Sequence, residues 1–213
     1  MKKQSVGKIL GNYFVPSGKK VWYHNAPQYW IHAHYDEYVP KVEYYTDYTR
    51  DDKNQKILLG RPNEIKATDQ YKYVELNEED AAVVSAMLNS SLFYWWFVIK
   101  SDGRHLLSDH IVSLPINLDV INKEIVKSLK EKAIELMEDY NRKSNVKINI
   151  RKGGYAIKIM EIIPKRSYKK IMEIDKLVAK VYSFTTDERD FIAKFDINFR
   201  LGESSSDYDD GKK

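Results

Sequence analysis

Glu64 and Lys66 are the first residues whose spacing could support a reaction. A metal-dependent nuclease needs an acidic residue followed later by Glu-x-Lys, and three aspartates precede this tripeptide between residues 47 and 52. The tripeptide arises easily by chance in a chain rich in Glu and Lys, and Pro62 before it predicts a turn rather than a strand. Nuclease activity through Glu64 and Lys66 is therefore kept as an alternative function.

His32 and His34 have the spacing of two metal ligands on one side of a strand. No convincing third ligand accompanies them, so the pattern favours surface or hydrogen-bonding histidines, and no metal is expected. Ser101, His105 and Asp109 are close in sequence, but no Gly-x-Ser-x-Gly turn surrounds the serine. A serine hydrolase is therefore not predicted.

The turn SDGRHL follows the most apolar stretch of the chain and carries Asp102, Arg104 and His105. A polar loop after a rigid apolar element often presents recognition residues. The planar guanidinium of Arg104 could bind a guanine edge or a phosphate with two hydrogen bonds. The alternative is that Asp102 and Arg104 pair with each other or cap the preceding helix.

The stretch from Lys147 to Lys170 is basic, with eight Lys or Arg residues and Glu161 as its single acidic residue. Arg151 and Lys152 come directly before two glycines, which would place two cations at a hairpin tip. Such a tip suits a phosphate backbone. A solvated hairpin is the alternative, and the charge favours nucleic acid.

Aromatic residues are concentrated in two segments. Tyr29, Trp30 and His32 could stack on bases, as aromatic side chains do in single-strand binders, although core packing is the more common role of such residues. Phe93 to Phe97 lie in a continuous apolar run and are predicted to pack in the core.

The first half of the chain reads as strands followed by helices. Residues 1–75 alternate short aromatic or β-branched runs with turn residues, which predicts β structure. Residues 77–99 predict one or two buried helices. Residues 100–118 predict a loop that ends in a strand-like segment, HIVSLPI.

The second half reads as helices around a hairpin. Apolar residues at three- and four-residue spacing predict a long helix over residues 119–144. Alternating residues on either side of two glycines predict a hairpin over residues 146–163. Residues 168–199 predict two helices, the second with Thr185 and Glu188 as a capping box.

Composition narrows the class of protein. The 213 residues suffice for one large domain or two small ones, and the 43% hydrophobic content suits a globular chain. A net charge of +4 permits nucleic-acid binding without requiring it. The absence of cysteine excludes disulfides, and with no signal peptide and no convincing membrane span it predicts a cytoplasmic protein with no membrane partner.

Three segments occur in a characteristic order: KKVWYHNAPQYWIHA (19–33), AMLNSSLFYWWFVIKSDGRHL (86–106) and IPKRSYKKIMEIDKLVAKVYSFTTDERDFIAKFDINFRLG (163–202). Together they resemble the C-terminal region of bacterial Type IIG-like restriction-modification enzymes and related adenine-specific DNA methyltransferases. The resemblance covers residues 15–202. It implies a target recognition domain that follows a methyltransferase domain and directs methylation, or in a fused enzyme also cleavage, to one short sequence in double-stranded DNA.

The catalytic motifs of such enzymes are missing from this chain. It contains no adjacent prolines for the loop that holds a flipped adenine, and no Gly-x-Gly turn after a strand for S-adenosylmethionine. No cofactor is therefore expected in this chain, and the resemblance implies that S-adenosylmethionine binds the catalytic partner domain. A protein-docking module that uses the helix over 119–144 is the other alternative.

The resulting prediction is an α+β target recognition domain with buried helices and a C-terminal helical part. Its parts are a β-rich recognition part with a buried helix (1–118), a helical spacer with a basic β-hairpin (119–202) and a disordered tail (203–213). The predicted DNA-binding residues are Tyr29, Trp30, His32, Arg50, Lys53, Arg61, Arg104, His105, Arg151 and Lys152.

Overall fold

The computed structural model describes residues 7–27 and 29–202. Helices account for 46% of the chain and antiparallel sheets for 26%, and the C-terminal part is helical, so the predicted α+β class is confirmed. The tail predicted to be disordered, residues 203–213, lies outside the described residues.

Strands come mainly from the first half of the chain, as the alternating pattern predicted. They form three antiparallel sheets with the orders β2-β1-β7, β6-β3-β9-β8 and β4-β5. The predicted hairpin over 146–163 is confirmed as β8 and β9. The strands are β1 (Phe14–His24), β2 (Ala33–Tyr35), β3 (Lys41–Tyr45), β4 (Tyr48–Arg50), β5 (Lys56–Leu58), β6 (Glu64–Ala67), β7 (Tyr71–Leu76), β8 (Asn145–Arg151) and β9 (Tyr155–Glu161).

Polar side chains cap the N-termini of several helices. Ser90 separates α1 from α2, and its hydroxyl accepts a hydrogen bond from the backbone N–H of Phe93. The capping box of Thr185 and Glu188 is confirmed at the start of α6. The helices are α1 (Glu78–Leu88), α2 (Ser91–Lys100), α3 (Ser108–Val112), α4 (Lys123–Lys143), α5 (Tyr168–Tyr182), α6 (Thr186–Lys194) and α7 (Ile197–Leu201).

One hydrophobic core joins the three-stranded sheet to the helices. Helix α1 is buried from Ala81 to Leu88, and α4 buries Leu129, Ala133 and Leu136, which share one face by their spacing. Residues before and after position 118 therefore share one core. Strands β3 and β9, which lie on opposite sides of that position in the sequence, are also paired within one sheet. The division at residue 118 stays a prediction.

Two local predictions are wrong. The segment HIVSLPI is not a strand, because residues 108–112 form α3, which buries Ile111 and accepts a backbone N–H from Leu107 at the His110 ring. Glu64 and Lys66 lie in β6 rather than in a turn, because pairing with β3 supplies the backbone hydrogen bonds that the isolated segment lacks. Among the described residues no single helix is long and apolar enough to cross a membrane, although α1 and α2 pass that test as a pair bent by 73°.

Candidate functional site

Five of the predicted DNA-binding residues lie on the β4–β5 hairpin, on the loop before β6 and on the β8–β9 hairpin, which adjoin the four-stranded sheet. Tyr45, the last residue of β3, is paired with Ala156 near the start of β9, so β3 ends beside the β8–β9 turn. Tyr44 is paired with Glu64, which brings the loop before β6 to the same end. We call the five residues on these segments the hairpin surface: Arg50, Lys53, Arg61, Arg151 and Lys152.

The small β4–β5 hairpin is fixed to this end by polar contacts. The ammonium group of Lys56 donates to the carbonyl oxygen of Ile148 on β8 over 2.8 Å. The backbone N–H of Leu59 donates to the carbonyl of Asp47, which closes the base of the hairpin. Arg50 donates to the side-chain oxygen of Asn54 within the same hairpin. These contacts hold the β4–β5 hairpin against the middle of β8.

The acidic residues of the β4–β5 tip reduce its net charge. Asp51 and Asp52 lie between Arg50 and Lys53. The carboxylate of Asp51 accepts the backbone N–H groups of Lys53 and Gln55, so it shapes the turn and is not paired with a cation among the described residues. The strongest positive charge of the hairpin surface is therefore at the β8–β9 tip.

The fold pairs three of the eight cations of this basic stretch with carboxylates. Arg151 and Lys152, by contrast, are exposed and form no ion pair with any other described residue. Their glycine neighbours Gly153 and Gly154 have φ values of +113° and +80°, which β-carbon-bearing residues rarely adopt. The three ion pairs are Lys147–Glu161, Lys158–Glu43 and Lys170–Glu135. Arg166 donates to the uncharged backbone carbonyl of Lys143.

The SDGRHL turn lies apart from the hairpin surface. The Asp102 carboxylate accepts the backbone N–H of Arg104 over 3.0 Å, and this hydrogen bond lowers the pKa of Asp102. The hydroxyl of Ser101 donates to a carbonyl in the last turn of α2. The backbone N–H of Leu106 donates to the carbonyl of Asn25, which fixes the turn beside the end of β1. Both Arg104 and His105 are exposed there.

The aromatic segment lines an open cleft of about 650 Å³ between the two larger sheets. Tyr29, Trp30 and His32 all contribute to its wall, together with the last residues of β9 and of α7. Lys41 and Lys165 bring positive charge to the same cleft. Cavities of this size are typical of small-molecule sites.

Trp30 and His32 are buried parts of the cleft wall. Trp30 is 8% exposed, and its indole N–H donates to the backbone oxygen of Arg200 over 2.6 Å. The guanidinium of Arg200 lies 4.0 Å from the Trp30 ring centre. His32 is hydrogen-bonded to His34 over 3.0 Å, which confirms the hydrogen-bonding interpretation of this pair. Burial lowers the pKa of His32 well below its ordinary value, so it is neutral.

Tyr29 differs because its ring is 49% exposed. It stacks against Phe199 of α7, with ring planes 19° apart and ring centres separated by 6.3 Å. Phe199 is 68% exposed and is not among the DNA-binding residues predicted from the sequence. The signal for it was weak, because a single phenylalanine in a short helix has the same pattern as a core residue.

Glu64 and Lys66 lie on one side of β6, as alternate residues of a strand do. Their side chains form an ion pair of 3.3 Å, and the Lys66 ammonium lies 4.7 Å from the centre of the Tyr44 ring. The hydrogen bond to Glu64 raises the pKa of Lys66. Within residues 7–27 and 29–202, no group of three or more His, Asp or Glu side chains could hold a metal ion.

Comparisons with known proteins identify no relative of this chain. It matches no protein-family model, no curated protein and no solved structure. The candidate interface therefore depends on the geometry of the hairpin surface and the cleft, together with the three sequence segments described above.

Proposed function

We propose that this chain is the DNA-recognition module of a bacterial, cytoplasmic restriction-modification system with an adenine-specific methyltransferase. It binds double-stranded DNA and directs a catalytic domain that lies outside this chain and binds S-adenosylmethionine. The observation that carries the proposal is the convergence of the hairpin surface. Two hairpins about 90 positions apart in the sequence, β4–β5 and β8–β9, both carry predicted DNA-binding cations and are joined by the Lys56–Ile148 hydrogen bond.

The shape of this surface suits a duplex. The β4–β5 hairpin is a separate two-stranded sheet, and a two-stranded β-ribbon fits the major groove of B-DNA, which is about 12 Å wide. Phosphate contacts position a protein on the duplex, and contacts to base edges select the sequence. In this arrangement Arg151 and Lys152 bind phosphates. Arg50 at the end of β4 and Arg61 in the loop before β6 are the candidates for base edges.

Docking of a partner through α4, without DNA recognition, has less support. The apolar face of α4 is already covered inside the chain, because Leu129, Ala133 and Leu136 are fully buried. An exposed apolar residue on this helix is Ile134, which is 41% exposed. A helix that buries its apolar stripe within its own domain has little left for a second partner.

The test begins with selection from a random duplex DNA pool, using the purified chain at low salt. The selected duplex and a scrambled duplex are then titrated at several salt concentrations. We expect one enriched short motif and a clear preference over the scramble. The double variant Arg151→Ala/Lys152→Ala should weaken binding to both duplexes and lower the slope of log Kd against log salt by about 2, since each phosphate contact contributes about 0.9.

Lys169→Ala is the matched control, because Lys169 belongs to the same basic stretch, is exposed and lies outside the hairpin surface. Its salt slope should equal that of the unmodified chain. Absence of any duplex binding, or an equal loss in the control and in the double variant, would count against the proposal.

A further inference from the structure

The cleft between the two larger sheets is separate from the hairpin surface. On β8, Lys147 lines the cleft and Arg151 lies at the opposite end of the strand. Four residues of strand span about 13 Å. A ligand in the cleft is therefore held by side chains other than those proposed to bind the duplex.

The cleft offers an exposed aromatic platform. Phe199 and Tyr29 are both exposed, and their rings lie side by side at one concave site. The rings are nearly parallel, so a planar ligand ring can extend the stack on either of them. Both rings are largely exposed, and neither is needed to fill the core.

Positive charge lies next to this platform. Lys41 and Lys165 line the cleft, are exposed, and form no ion pair with another residue in the described part of the chain. A β carbon placed on Gly202 would lie 3.9 Å from the ammonium nitrogen of Lys165. Gly202 directly follows α7, the helix that carries Phe199, so the Lys165 ammonium lies by the end of that helix.

Hydrogen-bonding groups complete the opposite wall. A ring nitrogen of His24 lies 3.2 Å from the side-chain oxygen of Gln70, and both residues line the cleft with Thr68. Burial lowers the pKa of His24, so this wall is uncharged at neutral pH. Polar, uncharged groups of this kind can contact the edge of a base or a sugar without repelling it.

We propose that the cleft binds an unpaired nucleotide, with its base stacked on Tyr29 or Phe199 and its phosphate held by Lys165 and Lys41. The combination of stacking rings and free cations matches a planar, anionic ligand. Base stacking on aromatic side chains beside positive charge is the general mode of single-strand recognition. The nucleotide can come from a single strand or from a free nucleoside phosphate, and the site does not require the hairpin surface.

The experiment measures binding of a short fluorescein-labelled oligo(dA) to the full chain by fluorescence anisotropy at low salt. Stacking is worth about 1–3 kcal/mol per base, so Tyr29→Ala and Phe199→Ala should each raise Kd by roughly 5- to 150-fold. Phe191→Ala is the matched control, because Phe191 is 62% exposed on α6 and does not line the cleft. It should leave Kd unchanged.

Charge and source are tested in the same assay. Lys165→Ala should weaken binding, whereas Lys169→Ala outside the cleft should not. Competition by adenosine 5′-monophosphate but not by ribose 5-phosphate would extend the site to free nucleotides. If neither compound competes and Tyr29→Ala still weakens oligo(dA) binding, the site is restricted to nucleotides of a single strand.

Unchanged binding in both cleft aromatic variants would overturn the proposal, as would a loss confined to Arg151→Ala/Lys152→Ala. Either result would make the hairpin surface the single nucleic-acid site. Because duplex binding is measured separately, failure of the cleft proposal leaves the proposed duplex function open to its own test.

Discussion

Replacing Asn89 should destabilise the protein more than any change on its surface. Asn89 is 2% exposed and joins the three-stranded sheet to the helices. Its side-chain oxygen accepts the N–H of Ala33 and the hydroxyl of Tyr140, at 3.2 and 2.9 Å. Its amide group donates to the carbonyls of Ala33 and Ser85, each over 2.8 Å.

The size of the effect follows from the groups that lose a partner. The Ser85 carbonyl keeps the backbone N–H of Asn89, so it is not left unpaired in Asn89→Ala. The N–H and C=O of Ala33 and the hydroxyl of Tyr140 each lose a bond. A buried polar group without its partner costs about 1–3 kcal/mol, and entry of water into the vacated space favours the lower end of that range. We therefore expect Asn89→Ala to lower the free energy of unfolding by about 3–5 kcal/mol.

Urea denaturation followed by circular dichroism measures this change. Tyr140→Phe is the comparison, because it removes one of the four hydrogen bonds and should cost about 1 kcal/mol. The double variant Asn89→Ala/Tyr140→Phe should lose less stability than the sum of the losses in the two single variants, because both single variants break the same Tyr140–Asn89 hydrogen bond. A loss below about 1 kcal/mol in Asn89→Ala would refute the assignment of Asn89 as a buried hydrogen-bonding centre.

Two further changes test other parts of the core. Burial raises the pKa of Asp175 to about 6, above the ~3.9 of an unfolded chain. The folded state therefore binds this proton more tightly than the unfolded state. The stability that the proton contributes is lost as the pH rises from about 4 to about 6. The variant Asp175→Asn retains an oxygen for the N–H of Ser91. Urea titration should show it to be about 1–2 kcal/mol more stable than the unmodified chain at pH 7 and of similar stability at pH 4. Plots of unfolding free energy against pH that run parallel for the two proteins would contradict this. A β carbon on Gly18 would lie 2.3 Å from the carbonyl oxygen of Leu76, so Gly18→Ala should cost more than about 2 kcal/mol. Gly103 lies in open space with φ of +76°, so Gly103→Ala should cost about 1 kcal/mol. Equal melting temperatures for the Gly18→Ala and Gly103→Ala variants would show that the close contact at Gly18 relaxes without cost.

The local elements were largely readable from the sequence. The three- and four-residue repeat of α4, the capping box at Thr185 and the glycine pair of the β8–β9 turn each describe contacts within a few residues. Such contacts are encoded by neighbouring side chains and need no knowledge of the rest of the fold. The same reasoning failed for HIVSLPI and for the segment around Glu64. Each is short enough for a tertiary contact to decide its conformation.

The candidate site shows the same division. Arg151 and Lys152 were predicted at a hairpin tip, because the turn chemistry is local. The pairing of Lys158 with Glu43 was not predictable, since it depends on the register between β3 and β9, which are more than 100 residues apart. With Lys158 paired to Glu43, the unpaired cations of the β8–β9 hairpin are Arg151 and Lys152 at its tip, among the residues that the structure describes.

The sequence by itself determined the fold class, the capping box of α6 and the turn that presents the cations. Tertiary structure alone decided which aromatic residues face the open cleft. Trp30 is buried because Arg200 lies against its ring and the backbone of α7 accepts its N–H, whereas Tyr29, one residue earlier, meets Phe199 in the open. Adjacent residues of similar chemistry have identical local signals, and a helix 170 residues further along the chain separates their roles.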